Sequence, residues 1–182
     1  SDEELRRLRS LGYDGLTVGV ETGDGEALAF MNKGYQARDI VEQAARLDGA
    51  GISYSFFYLA GISGAGRGTE GALRSAEVFN QTRPVRVGSS MLTVFPSSEL
   101  YREIQAGNWR EEGELEKLEE LKTLVGHLDI PTRFETDGDS NLVHVRGDLP
   151  RDREALAEYL GGLAAGASEE ALRAYRVNLR HL

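Results

Sequence analysis

The chain contains no cysteine among its 182 residues. It can therefore form no disulfide, and it offers no thiolate as a nucleophile or as a ligand to zinc or to an iron–sulfur cluster. The 3 histidines, at positions 127, 144 and 181, show no metal-ligand spacing. The sequence thus predicts that the chain builds no metal centre from its own residues.

Long apolar runs and an excess of positive charge are also missing. No stretch approaches the roughly 20 apolar residues that a membrane-spanning helix needs, and no charged-then-apolar leader opens the chain. We therefore expect a cytoplasmic protein without a membrane partner. The 21 Lys and Arg residues are outnumbered by 30 Asp and Glu, giving a net charge of -9. Because the arginines are scattered, nucleic acid is not an expected partner.

What is present is an alternation of apolar strands and amphipathic helices, joined by connections of the length that parallel βαβ units use. This order predicts an α/β fold with a parallel sheet. The predicted elements of residues 1–128 are a helix over 2–11, a strand over 16–20, helices over 24–31 and 37–47, a strand over 52–59, a helix from Thr69, a strand over 85–92, and helices over 100–106 and 114–128.

Residues 129–182 form a predicted C-terminal extension. Alternating residues over 132–136 and 142–146 predict a short hairpin, and helices are expected over 151–160 and 168–179. The glycines between residues 161 and 166 indicate a hinge between these helices. Two parts are therefore expected, an α/β part over 1–128 and an extension over 129–182.

Two of the predicted strands end in polar or glycine residues. Val20 leads into Glu21, and Leu59 leads into a glycine-dense loop over residues 61–68. The carboxyl ends of parallel strands are where ligands bind in α/β folds, so these ends predict a binding rim. Glu21 has two interpretations. It caps the next helix or forms a salt bridge, or it accepts hydrogen bonds from ligand hydroxyls or an amine.

Other patterns favour structural roles. Residues 66–71 spell G-x-G-x-x-G, but the strand ends well before them and no acidic residue ends the next strand, so a dinucleotide site is not favoured. The acidic residues between 111 and 120 have helical spacing and are predicted to form a solvated face. Tyr54, Phe56 and Tyr58 alternate along one strand face and are predicted to be core residues, with ligand contact as the alternative for Tyr58.

Taken in order, several short motifs resemble the C-terminal half of a radical S-adenosylmethionine (SAM) core domain. Gly-Val-Glu-Thr-Gly at 19–23 and Met-Asn-Lys-Gly at 31–34 are similar to the fourth strand of that family and the helix after it. Ala-Gly-Ile at 50–52 and Gly-Ile-Ser-Gly at 61–64 are similar to its fifth strand and adenine motif. Residues 92–101 resemble the end of its sixth strand.

The C-terminal part carries a narrower resemblance. Ser-Asn at 140–141 and the run over 147–152 are similar to the tails of a bacterial subgroup that is often labelled as related to oxygen-independent coproporphyrinogen III oxidase. That label indicates little about the substrate, which stays unknown.

The resemblance implies a partial, TIM-like barrel of which this chain supplies three parallel βα units, followed by the hairpin and helices. It implies that Glu21, assisted by Thr22, contacts the ribose hydroxyls of SAM. It further implies that Ile62 packs on the adenine and that Gly61 and Gly64 let the backbone approach the ligand. A carboxylate suits a ribose diol because it only accepts hydrogen bonds and charge-assisted bonds are strong.

The departures from the family are as informative as the matches. The family holds its 4Fe-4S cluster with a CxxxCxxC motif after the first strand, and this chain has neither the cysteines nor the first three strands. We therefore expect a fragment, inactive alone, of an iron–sulfur enzyme that reductively cleaves SAM to a deoxyadenosyl radical for hydrogen abstraction. The alternative is a non-catalytic half-barrel that binds a nucleoside or SAM, or an interaction module. A cut sheet would expose an edge strand, which predicts a homo-oligomer.

Overall fold

The structure, a computed structural model, describes residues 1–178. Its centre is a sheet of five strands that lie side by side in chain order. The first three strands coincide with the predicted ones to within two residues at each end, because their apolar cores are bounded by glycine or polar residues. The strands are β1 (Gly15–Glu21), β2 (Ser53–Ala60), β3 (Arg86–Met91), β4 (Thr132–Glu135) and β5 (Arg146–Leu149).

Strands β1 to β4 are parallel, and β5 runs antiparallel to β4. Each parallel step is made through one or two helices, as crossover connections require. No helix within residues 1–178 has the length and apolarity to cross a membrane. The helices are α1 (Asp2–Ser10), α2 (Gly25–Phe30), α3 (Ala37–Ala50), α4 (Gly68–Phe79), α5 (Glu99–Gln105), α6 (Glu114–His127), α7 (Arg153–Gly166) and α8 (Glu169–Val177).

The two faces of the sheet differ in burial. On β2, Tyr54, Phe56 and Tyr58 are at most 2% exposed, and the ring of Phe56 lies 5.1 Å from that of Phe79 in α4. The alternate side chains of β2, of which Phe57 is the largest, point to the other side of the sheet and remain at least partly exposed. The predicted core face of β2 is thus confirmed. A parallel sheet covered by helices on one face is the geometry of part of a barrel.

The predicted hairpin is wrong in its second strand. The strand lies at Arg146–Leu149 instead of 142–146, and β4 also pairs with β3, so that it extends the parallel sheet. The cause is local. The hydroxyl of Thr136 donates to the carbonyl of Val143 and accepts from the N–H of Val145, which takes these backbone groups out of a regular ladder.

The predicted hinge over 161–166 is also wrong, because α7 continues without a break to Gly166. Leu160 is fully buried, and Leu163 packs against the core beyond it. Gly161 lies against the side chain of Lys122 in α6, so a small residue here lets the two helices approach. The predicted helix over 168–179 corresponds to α8, although its last residue lies outside the described part of the chain.

Strand β1 forms one edge of the sheet, and an unpaired parallel edge is a site of self-association. Leu16 on this edge is 37% exposed. We expect the 182-residue chain to form a dimer or larger species, and Leu16→Lys to shift it toward the monomer because a charge on an edge strand opposes pairing. Light scattering at several protein concentrations measures the shift.

Leu11→Lys is the matched control, since Leu11 is 66% exposed but follows α1 and lies off the sheet. It should leave the association unchanged. A monodisperse monomer of the unsubstituted chain would contradict association through β1.

Candidate functional site

Glu21 ends β1 in a backbone conformation that residues other than glycine rarely adopt. Its φ is 59°, and the pairing register between β1 and β2 shifts between Gly19 and Glu21. Such a bulge turns a side chain in a new direction. A Cβ added to Gly19 would lie 2.9 Å from Oε1 of Glu21, so the carboxylate folds back over this glycine. Strained backbone of this kind costs about 1–3 kcal/mol and is concentrated at functional sites.

Within residues 1–178, the Glu21 carboxylate has one weak ionic partner. Nζ of Lys33 lies 3.5 Å from Oε1, at the long limit of a hydrogen bond, and the Glu21 side chain is 20% exposed. Nearby, the hydroxyl of Tyr35 donates to the carbonyl oxygens of Gly19 and Val20 and fixes the strand end. Burial, with the Glu21 charge second, raises the pKa of Tyr35 to about 12, so this hydroxyl stays a donor. Glu21 is therefore held in place while its oxygens keep bonding capacity.

The structural interpretation of Glu21 is a helix cap or a salt bridge. Helix capping is excluded by geometry, because Asp24 caps α2. Oδ1 of Asp24 accepts from the N–H of Glu26 at 3.1 Å. The salt-bridge interpretation is present in its weak form with Lys33. Thr22, the predicted assistant of Glu21, is fully buried, and its hydroxyl lies 3.0 Å from that of Ser75. Thr22 therefore fixes the turn between β1 and α2.

The buried carboxylate of Asp24 ties together the loops that follow β1 and β2. Besides capping α2, its Oδ1 pairs with Arg74 at 2.9 Å. Its Oδ2 accepts from the hydroxyl of Ser63 at 3.2 Å and pairs with Arg67 at 3.1 Å. The side chain of Asp24 is fully buried, so it needs this full set of donors. The two loops of the predicted rim are thereby held in a fixed relation.

Gly61 and Gly64 begin the loop after β2 with φ values of 92° and 84°. The space that a side chain would occupy at each of these positions is filled by a side chain from another part of the chain. A Cβ on Gly61 would lie 2.8 Å from Cε of Lys117, and one on Gly64 would lie 2.7 Å from Nε1 of Trp109. Packing inside the chain is therefore enough to explain why both positions are glycine.

Ile62 and Gly64 line a pocket of about 400 Å³ beside this loop. Phe30 and Trp109 also line it, so that its wall is partly aromatic. Glu21 lies outside this pocket, on the neighbouring strand end. The structure thus places the predicted residues along one rim of the sheet, with Ile62 and Gly64 in one pocket and Glu21 apart from it.

The acidic run over 111–120, predicted to be solvated, is the largest correction. Glu112, Lys117 and Glu120 are each fully buried. Oε1 of Glu120 accepts from the hydroxyl of Tyr58 at 2.5 Å, and Oε2 accepts from the N–H of Gly61 at 2.6 Å. Helix α6 packs against both α4 and α7, so it buries more than one face. The sequence held one signal for this, since the hydroxyl of a core tyrosine needs a partner.

A second cluster that sequence reasoning missed lies at the end of β3. The guanidinium of Arg176 in α8 donates to the carbonyl of Leu92 at 2.7 Å and to the hydroxyl of Thr93 at 3.0 Å. It also pairs with Glu114 at 3.2 Å. The C-terminal helix therefore packs at the same edge of the sheet as the predicted rim. These partners are far apart along the chain, and no local pattern indicates them.

No group of histidine, aspartate or glutamate residues within 1–178 could hold a metal ion. His127 lies at the end of α6, and its Nδ1 is 2.8 Å from the carbonyl oxygen of Thr123.

Comparisons with known proteins bear on the fold. No family model matches the sequence, and no curated protein matches it significantly. Among solved structures, the chain is similar to Elp3 from the archaeon Methanocaldococcus infernus, with N-terminal residues 1–46 deleted, at a TM-score of 0.65 and 21% identity. The fold matches a partial, TIM-like barrel, as expected for the C-terminal half of a radical SAM domain. The similarity covers 89% of this chain but only 39% of the Elp3 chain. The predicted fold class is confirmed, and at this identity the likeness concerns the fold alone.

The loop after β2 allows a test that separates strain from close packing. Gly64 and Gly66 share a φ of 84°, but nothing lies within 4 Å of a Cβ on Gly66. Gly66→Ala should lower the free energy of unfolding by about 1–2 kcal/mol, the cost of left-handed backbone. Gly64→Ala should cost about 1–3 kcal/mol more, because its methyl group meets Trp109. Urea unfolding measures both, and equal losses would show that the contact with Trp109 is not tight.

Proposed function

We propose that this chain supplies part of the SAM-binding rim of a radical SAM enzyme, and that Glu21 accepts hydrogen bonds from the ribose hydroxyls. The observation that carries the proposal is the conformation of Glu21. Its backbone is strained, and its carboxylate lies over Gly19 at the carboxyl end of a parallel strand with one weak partner. In partial and complete α/β barrels this end of the strands is where ligands bind. The two hydroxyls of a ribose would donate to the Glu21 carboxylate the hydrogen bonds that Lys33, at 3.5 Å, provides only in part.

The other rim residues have secondary roles in this proposal. Ile62, in its partly aromatic pocket, offers the apolar surface that an adenine ring requires. Thr22 assists Glu21 indirectly, since its hydroxyl fixes the turn that follows. Gly61 and Gly64 let the backbone approach the ligand in this proposal, beside their close packing against Lys117 and Trp109. SAM, when bound, supplies the adenosyl group that such enzymes convert into a radical.

The iron–sulfur cluster does not fit the residues of this chain, which has no cysteine. Thiolates are the ligands of such clusters, so no step of the chemistry is assigned to a cluster here. In the proposal, the cluster and the cleavage of SAM belong to a longer protein whose substrate is unknown. The tail over 147–152 supports placing that protein near the subgroup related to coproporphyrinogen III oxidase.

A second candidate function is a half-barrel that binds a nucleoside or SAM without catalysis, or that serves only as an interaction module. The complete absence of cysteine favours it. The coding sequence ahead of Ser1 separates the candidates, because cysteines at CxxxCxxC spacing there would indicate the enzyme.

Replacement of Glu21 tests the proposed rim. Glu21→Ala removes charge-assisted hydrogen bonds worth about 1.5–3 kcal/mol, which corresponds to a loss of roughly ten- to hundredfold in SAM affinity. The affinity is measured by NMR titration of the 182-residue chain with SAM, in which the amide signals of Glu21, Ile62 and Gly64 should shift.

Glu42→Ala is the matched control, because Glu42 is an exposed glutamate on α3. It should leave the affinity unchanged. If Glu21→Ala keeps the fold and binds SAM as tightly as the unsubstituted chain, Glu21 has only its structural role beside Lys33.

Iron uptake tests the assignment of the cluster to residues outside this chain. After anaerobic incubation with iron and sulfide and gel filtration, the chain should hold no stoichiometric cluster and should not cleave SAM, since it has no thiolate ligands. Visible absorption typical of a cluster, with a matching iron content, would overturn this expectation.

A further inference from the structure

Two buried carboxyl groups meet behind the rim, between α6 and the end of β2. Glu112 precedes α6 and Glu120 lies within it, and both are fully buried. Each carboxyl group acts on the pKa of the other, so the two side chains lie close together. Two ionised carboxylates buried side by side would repel, so this arrangement needs an explanation in terms of protons or cations.

The hydrogen-bond donors around the pair are unevenly distributed. Both oxygens of Glu120 have donors, from Tyr58 and from the N–H of Gly61. Neither oxygen of Glu112 has a hydrogen-bond partner among the remaining described groups. Ionised carboxylates only accept hydrogen bonds, so contact between the two side chains becomes a bond only when one of them carries a proton.

The charged groups around the pair do not replace that proton. Lys117 of α6 is fully buried nearby, but its Nζ lies 3.1 Å from Glu111 and 3.4 Å from Glu114, to which it is bound. Glu116 adds a further negative charge, and its carboxylate accepts from the N–H of Gly66 in the same loop.

On the remaining sides, β2 contributes the hydroxyl of Tyr58, and α4 contributes the backbone of Gly68. A Cβ on Gly68 would lie 2.6 Å from Oε2 of Glu112, so the carboxyl group packs closely against this glycine. Burial, followed by the charge of Glu120, raises the pKa of Glu112 far above the ordinary carboxyl value, and burial also raises the pKa of Glu120.

We propose that Glu112 and Glu120 share one proton at neutral pH, and that this proton fixes Glu120 as the acceptor that positions the loop starting at Gly61. The pair then carries a single negative charge, which the donors from Tyr58 and Gly61 satisfy. Both glutamates are positioning residues and contact no ligand. The relevance of the loop to SAM rests on the proposed function, whereas the shared proton is tested without ligand.

The proton predicts a specific dependence of stability on pH. In the unfolded chain both carboxyl groups are ionised above about pH 5.5, so between pH 7 and 9 the folded chain binds one more proton than the unfolded chain. Stability must then fall as pH rises, and the unfolding constant should increase about tenfold per pH unit from this pair. Glu112→Gln should remove this pH dependence of the unfolding constant, because the new amide donates to Glu120 without a titrating proton.

Glu119→Gln is the matched control, since Glu119 neighbours Glu120 on α6 but is partly exposed and paired with Lys122. Urea unfolding of the chain and both variants between pH 7 and 9 gives the slopes, and the comparison cancels other titrating groups. The slope should differ by about one proton between the unsubstituted chain and Glu112→Gln, and not at all for Glu119→Gln. Equal slopes for all three would overturn the proposal.

Infrared spectroscopy keeps the test independent of how well the variant folds. With ¹³C-labelled glutamate, the unsubstituted chain should show the C=O stretch of a protonated carboxylic acid at pH 8, where free glutamate is ionised. The absence of that band overturns the shared proton. The shared proton would also be overturned if replacing Na⁺ or K⁺ in the buffer with a large organic cation lowered the stability of the chain. A bound cation would then hold the two carboxylates together.

Amide hydrogen exchange tests the positioning role. As pH rises and the pair ionises, protection of the Gly61 amide should fall in the unsubstituted chain and stay constant in Glu112→Gln. If protection of the Gly61 amide changed equally with pH in the two proteins, the proton would not position the loop.

Discussion

The position of the rim depends on one buried carboxylate. Removing a charge from water costs several kcal/mol unless donors satisfy it, and Glu120 meets this demand with the hydroxyl of Tyr58 and the N–H of Gly61. One donor lies in β2 and the other begins the loop after it. Helix α6 is therefore fixed against the carboxyl end of β2, and the path of the loop from Gly61 onward follows from that contact.

The rim combines a rigid support with one group that is less tightly bound. Asp24 is fully buried and bonded to both neighbouring loops, and the hydroxyl of Thr22 is bonded to Ser75 of α4 and to the N–H of Asp24. Glu21 differs from them, since it is strained and partly exposed, and in the described part of the chain it is paired only with Lys33, at 3.5 Å. Polar groups with complete sets of partners build the support, and the group with an incomplete set is the one that a ligand would complete. This contrast separates the binding role of Glu21 from the structural roles around it.

The sequence was sufficient where local patterns decide the structure. Alternating apolar residues and glycine stops located β1 to β3. It failed where long-range contacts decide. Glu120 has the helical spacing of a surface residue, and only the packing of α6 between α4 and α7 buries it. The left-handed backbone of Glu21 was equally hidden, because a bulge depends on the register between two strands.

The most direct measurement is a crystal structure of the chain soaked or co-crystallised with S-adenosylhomocysteine, which has the same adenosyl group as SAM. The account predicts both carboxylate oxygens of Glu21 at about 3 Å from the ribose hydroxyls, the adenine against Ile62, and the loop at Gly61 unchanged. A nucleoside bound elsewhere on the chain, with Glu21 still paired with Lys33, would contradict it.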